Sequence, residues 1–120
     1  MELALRFGFD AAHRFDTYPE GHAYNTLHGH SFQVEVTLAG DPDPDTGFLI
    51  DFAALEAACG ELRHQLDHRM LNEIDGLSAP SLENLCLWIW ARLSPRVPML
   101  ARVVVRRPSA GQSCSYAGPE

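Results

Sequence analysis

The sequence has no lysine, only three cysteines and no long apolar run, and each absence excludes a class of protein. All nine basic residues are arginine, so Schiff-base chemistry by a lysine of this chain is excluded. The cysteines (Cys59, Cys86 and Cys114) are odd in number and lack CxxC spacing, which favours a reducing cytoplasm over a disulfide scaffold. Apolar stretches fall far short of the ~20 residues that cross a bilayer, and the start lacks the pattern of a secretion signal. We therefore expect a cytoplasmic protein that does not span a membrane.

The charge and the size of the chain indicate which partners are unfavourable and how many domains to expect. Sixteen acidic residues against nine arginines give a net charge of −7, without any basic run, so nucleic acid is a poor partner. The 120 residues are 46% hydrophobic and 21% charged, which are values typical of a globular chain. We expect a single domain over residues 1–120.

The hydrophobic pattern predicts four strands and two helices. Alternation of apolar and polar residues predicts strands over 3–9 and 32–38, with an irregular, polar and aromatic loop between them. Asp51 is the predicted N-cap of a helix that runs to about Arg69, and Ser81 opens a second helix that Pro95 stops. Two further strands are predicted over 102–106 and 113–116. The order ββααββ predicts an α+β fold, a four-stranded antiparallel sheet with two helices on one face, and its open edges favour homo-oligomerisation by strand addition.

The predicted core combines the apolar faces of these elements. It consists of Phe7, Phe9, Val34, Val36, Leu55, Leu62, Leu66, Leu85, Trp88, Ile89, Val103 and Val105.

Three histidines form a candidate metal site. His28 and His30 flank a glycine, and side chains two residues apart on an extended chain point to the same side. His13 follows the first strand, which is predicted to run antiparallel to the second, so its ring can lie beside the pair. Three imidazoles without a fourth protein ligand match a catalytic Zn²⁺ that keeps one position open. A chance HxH, or a histidine that only bonds a backbone carbonyl, is the alternative.

Asp67 and His68 form a candidate acid–base pair. A carboxylate beside an imidazole can orient the ring and raise its basicity. Neighbouring residues of a helix diverge by about 100°, so the two side chains can cooperate only where the helix frays or a third group mediates. A polar helix end, with His68 helping to cap carbonyls, is the structural alternative.

Five segments together resemble one known family. In chain order they are FDAAHR (9–14), LHGHSF (27–32), TGFLIDF (46–52), LDHRMLN (66–72) and PSLENL (80–85). They are similar to the 6-pyruvoyltetrahydropterin synthase family, including its bacterial 6-carboxytetrahydropterin synthase branch, and they span nearly the whole chain.

The resemblance implies a fold, an assembly and a chemistry. The fold is a T-fold, and family members form trimers that pair as hexamers, with active sites between subunits. The zinc ligands of the family match His13, His28 and His30, and its Asp–His pair matches Asp67 and His68. Family enzymes act on 7,8-dihydroneopterin triphosphate, eliminating triphosphate and rearranging or shortening the side chain.

Two positions depart from the family pattern. Tyr24 stands where the family has its catalytic cysteine, and a phenol, with an ordinary pKa of about 10 against about 8.5 for a thiol, is the poorer base. Arg107 stands where a glutamate anchors the N–H edge of the pterin, and a guanidinium has only donors. No acidic residue lies between Ala101 and Gly118 to replace that anchor. Arg107 favours a ligand with acceptor oxygens instead, and Phe52 or Phe32 could face a flat ring.

These observations lead to three functional hypotheses. The first is a homologue that binds a pterin-like or related heterocycle in a histidine-lined site, without carrying out the usual family reaction. The alternative is a zinc-dependent lyase acting on 7,8-dihydroneopterin triphosphate, with Asp67 and His68 transferring protons and Tyr24 replacing the cysteine. In the third, the histidines only hold an oligomer together.

Overall fold

A single antiparallel sheet contains every strand of the chain. The computed structural model describes all residues from 1 to 120. The strands are β1 (Glu2–His13), β2 (His28–Ala39), β3 (Leu100–Arg107) and β4 (Gln112–Tyr116), hydrogen-bonded in the order β1-β2-β3-β4. Both long strands extend beyond the predicted ranges, so that the three histidines of the candidate site belong to strands.

Two capped helices complete the fold between β2 and β3. Helix α1 (Phe52–Leu66) begins where the Asp51 carboxylate accepts a hydrogen bond from the Ala53 amide. Helix α2 (Leu82–Leu93) begins where the Ser81 hydroxyl accepts one from the Asn84 amide. Both predicted N-caps are confirmed, because each side chain satisfies an amide that the first helical turn leaves free. The prediction for the end of α1 is wrong, since the helix stops at Leu66 and not near Arg69.

The helices bury one face of the sheet. The inward side chains of β1 and β2, among them Phe9, Val34 and Val36, join those of both helices in one core of 23 residues. Every predicted core residue is buried except Phe7, which is half-buried and packs against the core from its margin. The order ββααββ and the antiparallel sheet with two helices confirm the predicted T-fold architecture. None of the helices has the length and apolar character that a bilayer crossing requires.

Candidate metal centre and binding cavities

The pairing of β1 with β2 brings the three histidines together. In this register His13 lies opposite His28, and Ala11 lies opposite His30. The ring centroids are 4.6 Å apart for His13 and His28, 5.0 Å for His13 and His30, and 4.9 Å for His28 and His30. Their potential ligand atoms all lie within 4.8 Å of one another. We call these three residues the His triad.

Backbone carbonyls fix how two rings of the His triad are oriented. His13 Nδ1 donates to the Pro80 carbonyl at 3.3 Å, and His28 Nδ1 donates to the Thr26 carbonyl at 2.7 Å. Because a carbonyl only accepts, each Nδ1 carries the proton and each Nε2 keeps its lone pair free. His13 Nε2 is buried without a hydrogen-bond partner, a costly state for a polar atom unless something binds it. The donor set therefore fits a metal ion such as Zn²⁺.

Burial favours the neutral form of His13 and His30, and the neutral imidazole is the form that ligates a metal. Burial lowers the pKa of His13 to about 4. The hydrogen bond to the Pro80 carbonyl raises this pKa, but by less than burial lowers it. Burial also lowers the pKa of His30, and the positive charge of Arg107 lowers it further. Beneath the rings, Phe32 stacks on Phe9 with centroids 4.9 Å apart, so the floor of the site is apolar.

The end of α1 brings Asp67 and His68 into contact. The chain leaves the helix at Leu66, and His68 adopts a left-handed conformation with φ of 57°. Its Nδ1 consequently lies 2.9 Å from Asp67 Oδ2, a contact that a continued helix would prevent. The Asp10 amide donates to Asp67 Oδ1 at 2.9 Å. That bond, followed by the one from His68, lowers the pKa of the Asp67 carboxyl.

Four of the predicted site residues, Tyr24, His30, His68 and Arg107, line two cavities that share His30. The first, which we call the edge cavity, has a volume of about 580 Å³ and lies beside β1, where Asp10, Ser31, His30 and His68 line it. The second, which we call the aromatic cavity, has a volume of about 410 Å³. Its lining includes Phe15, Tyr18, Tyr24, His30, Glu83 and Arg107.

Tyr24 and Arg107 thus share a cavity, whereas Asp67 and His68 belong to the other side of His30. The Tyr24 ring lies 6.3 Å from that of His28. Arg107 is half-buried, and desolvation lowers the pKa of its guanidinium. His68 is directed outward, with 78% of its side chain exposed. Phe52 lies at the start of α1, 42% exposed, and lines neither cavity, so the structure does not bring it to the other predicted residues.

The sequence analysis missed one charged residue of the aromatic cavity. Glu83, in the first turn of α2, lines the cavity together with Arg107. The two residues are far apart in the chain, and only the packing of α2 against the sheet brings them together.

A second residue near the site that the sequence analysis missed is Asn72. Its side-chain amide bonds both the N–H and the carbonyl of Arg14 and so holds the end of β1 beside His13.

Comparisons with known proteins identify the family. Residues 2–119 match the family described as 6-pyruvoyl tetrahydropterin synthase. The chain belongs to this family.

Two curated relatives carry different reaction names. The chain is 39% identical over 105 residues to a 6-carboxy-5,6,7,8-tetrahydropterin synthase of Synechocystis, and the match covers 82% of this chain and 80% of that protein. It is 36% identical over 96 residues to a dihydroneopterin monophosphate aldolase of Pyrococcus furiosus, which covers 80% of this chain and 77% of that protein.

A solved structure shares the fold. The 6-pyruvoyl tetrahydropterin synthase of Caenorhabditis elegans superposes with a TM-score of 0.87 at 22% identity, covering 99% of this chain and 96% of that one. The family membership and the T-fold inferred from the five sequence segments are thereby confirmed.

Proposed function

We propose that this chain binds a pterin-like heterocycle beside a Zn²⁺ ion held by His13, His28 and His30, and does not carry out the elimination of triphosphate from 7,8-dihydroneopterin triphosphate. The observation that carries the proposal is the His triad, one member of which, His30, lines the aromatic cavity. Bound zinc would supply a Lewis acid that polarises an oxygen of the ligand. The chain's own groups would orient the ring and shield one side of it from water.

The absence of the usual reaction follows from the groups around the cavity. The one residue at the position of the family's cysteine is Tyr24, which is 44% exposed at the rim. A phenol gives up its proton less readily than a thiol does. Arg107 presents donors where the family presents a carboxylate, so a ligand must place acceptor oxygens there.

The second candidate is a zinc-dependent lyase in which Tyr24, Asp67 and His68 transfer protons. It is favoured by the contact between Asp67 and His68, which orients an imidazole toward solvent for proton transfer. His68 lies across His30 from Tyr24, so a site that uses both is completed most simply by the neighbouring subunit, as the resemblance to the family implies. We accordingly propose a homo-oligomer, a trimer or hexamer, located in the cytoplasm.

One experiment separates the two candidates. Zinc-loaded protein is incubated with 7,8-dihydroneopterin triphosphate, triphosphate release is followed by ³¹P NMR, and ligand binding is followed by the melting temperature. The expected result is a higher melting temperature, because a ligand of the native state stabilises it, without release of triphosphate. Release that Tyr24→Phe abolishes would establish the lyase instead. A melting temperature that no pterin shifts would contradict the binding proposal.

A further inference from the structure

Two of the three cysteines meet between α2 and the outer strand β4. Cys114 pairs with Val105 in the sheet, and directly opposite residues of neighbouring strands project on the same face. Val105 is fully buried in the core between the sheet and the helices, so Cys114 also faces α2. Cys86 lies on the buried side of α2. The fold therefore brings two thiols that are 28 residues apart in sequence to one interface.

The Cys86 thiol is in direct contact with Cys114. Its sulfur lies 3.4 Å from the Cys114 carbonyl oxygen, to which the S–H donates, and it also forms a hydrogen bond with the Cys114 side chain. A disulfide requires two cysteines whose Cα atoms lie within roughly 7 Å of each other. One sulfur already contacts the backbone of the other residue, so the bond needs a rotation of the side chains and not a rearrangement of α2 and β4.

The three thiols differ in how readily they react. Burial, and after it the neighbouring Cys114 thiol, raises the pKa of Cys86 to about 12, and a thiol that stays protonated is a poor nucleophile. Cys114 is half-buried at the margin of the core, so it is the thiol of this pair that a small oxidant reaches. Burial on α1 raises the pKa of Cys59 to about 11, and no other thiol contributes to that shift.

We propose that Cys86 and Cys114 are a site of reversible oxidation, at which hydrogen peroxide converts the two thiols into a disulfide that links α2 to β4. In the first step the Cys114 sulfur attacks one oxygen of the peroxide, which forms a sulfenic acid and releases water. In the second step the Cys86 sulfur attacks the Cys114 sulfur, and the Cys86 proton leaves with the hydroxyl group as a second water. Two thiols are oxidised while one peroxide is reduced, and a small thiol such as glutathione reverses the reaction by exchange.

This site goes beyond the proposed pterin site and does not depend on it. Neither cysteine lines the edge cavity or the aromatic cavity. The bond would fix β4, an outer strand of the sheet, to the helix that packs on it. A link between residues 28 positions apart restricts the unfolded chain. We therefore expect the oxidised protein to melt at a higher temperature than the reduced protein.

Counting the free thiols tests the proposal. Reduced wild type is treated with a small excess of hydrogen peroxide, unfolded in urea and labelled with iodoacetamide, and the intact mass gives the number of labels. All three cysteines should take a label before oxidation and only one should do so afterwards. Cleavage after the arginines that lie between Cys86 and Cys114 should yield one linked pair of peptides, which dithiothreitol separates.

Three variants assign the link. Cys86→Ser and Cys114→Ser should each give no linked peptides, and the rise in melting temperature on oxidation should disappear in both. Cys59→Ser is the matched control, because it also removes a buried thiol but should form the link as wild type does. Circular dichroism confirms that each variant is folded. Cys86→Ala, which places a small apolar side chain in the core, covers the case in which the serine variant does not fold.

Two kinds of result would overturn the proposal. The first is that peroxide leaves all three thiols of the folded protein free at a dose that forms disulfides in the urea-unfolded chain. The second is that the link joins Cys59, or two chains, since the contact between α2 and β4 would then not direct the reaction. A lower melting temperature of the oxidised protein would also contradict the proposal, because the bond would not fit the native arrangement.

Discussion

At the scale of single residues, the ability of the His triad to bind a metal depends on which ring nitrogens of His13 and His28 carry the proton. The carbonyls of Pro80 and Thr26 hold the Nδ1 protons of His13 and His28 and leave Nε2 to a metal. The strand register, and not any one ring, sets the spacing of the triad. We therefore expect each of the three histidines to be needed for zinc affinity.

His28→Ala tests this view of the triad. Loss of a direct ligand should weaken zinc binding by more than the roughly 10- to 100-fold that follows loss of an outer-shell partner. His64→Ala, which removes an exposed imidazole from α1, should leave the affinity unchanged. Competition with a chromophoric chelator measures both. Equal zinc affinity in the wild type and in His28→Ala would show that the triad does not hold the metal.

Asp67 should make stability depend on pH in the acid range. Its hydrogen bond from the Asp10 amide, together with the contact with His68, holds the pKa of the carboxyl below its ordinary 3.8. The unfolded chain therefore binds the proton more readily, and the stabilisation is present above pH 3.8 and is lost as the pH falls through the folded-state pKa. Asp67→Asn should accordingly be less stable than wild type at pH 7, and the difference should shrink below pH 3.8.

Urea unfolding at a series of pH values measures the Asp67 effect. Glu20→Gln serves as the control, since that exposed side chain makes no hydrogen bond or ion pair. A stability difference between Asp67→Asn and wild type that stays constant with pH would rule out the carboxylate as its source.

At the scale of elements, the turn after α1 combines an unfavourable backbone conformation at His68 with a side-chain contact between His68 and Asp67. His68 is the one residue other than glycine with a positive φ, and that conformation costs a side-chain-bearing residue about 1–2 kcal/mol. His68→Gly should therefore be more stable than His68→Ala by about 1 kcal/mol in the free energy of unfolding. Both variants lose the imidazole, so any proton transfer by His68 should fail equally in both. Equal stabilities by chemical denaturation would mean that the turn relaxes when the imidazole is removed.

The ends of the elements show what local sequence can and cannot predict. Asp51 and Ser81 were identifiable as N-caps because capping is a contact within one turn. The early end of α1 was not, because the Asp10 amide and carbonyl, far away in the chain, bond Asp67 and the His68 amide. The lengths of β1 and β2 were underestimated because histidine, glycine and alanine interrupt the apolar alternation near the site.

The residues of the candidate site also differ in whether the sequence alone could predict them. The spacing of His28 and His30, with an antiparallel partner strand, predicted that the triad would converge. The place of Glu83 in the lining of the aromatic cavity had no sequence signal, since a glutamate in the first turn of a helix is also explained by the helix dipole. Phe52 was selected for its ring alone, and in this chain it lies at an exposed helix start, outside the lining of either cavity.

At the scale of the whole molecule, the open sheet and the division of the site both favour assembly. The sheet has two outer strands, β1 and β4, whose free backbone groups can pair with another chain. Light scattering coupled to size exclusion should give three or six times the chain mass of 13.3 kDa. A monomer at micromolar concentration would contradict the proposed trimer or hexamer.

Mixed oligomers test whether subunits share a site. If the lyase candidate is correct, His30→Ala and Asp67→Asn should each be inactive, because one lacks a metal ligand and the other lacks the acid–base pair. Unfolding and refolding the two variants together should restore part of the triphosphate release when Asp67 acts on a neighbour's triad. No recovery in mixed oligomers, alongside full wild-type recovery after the same treatment, would show that each chain uses its own pair.

The segment after α1 also sets how far a neighbouring chain can extend along β1. The Asp10 carbonyl accepts from the His68 amide, the Ala12 amide donates to the Arg69 carbonyl, and the Gly8 carbonyl accepts from Arg63. Backbone groups alternate along a strand, so on that outer side the first group after Glu2 that has a partner is the Gly8 carbonyl. A strand of another chain that paired with β1 would therefore have to end about halfway along it, and the turn that presents His68 would set the offset between the two chains.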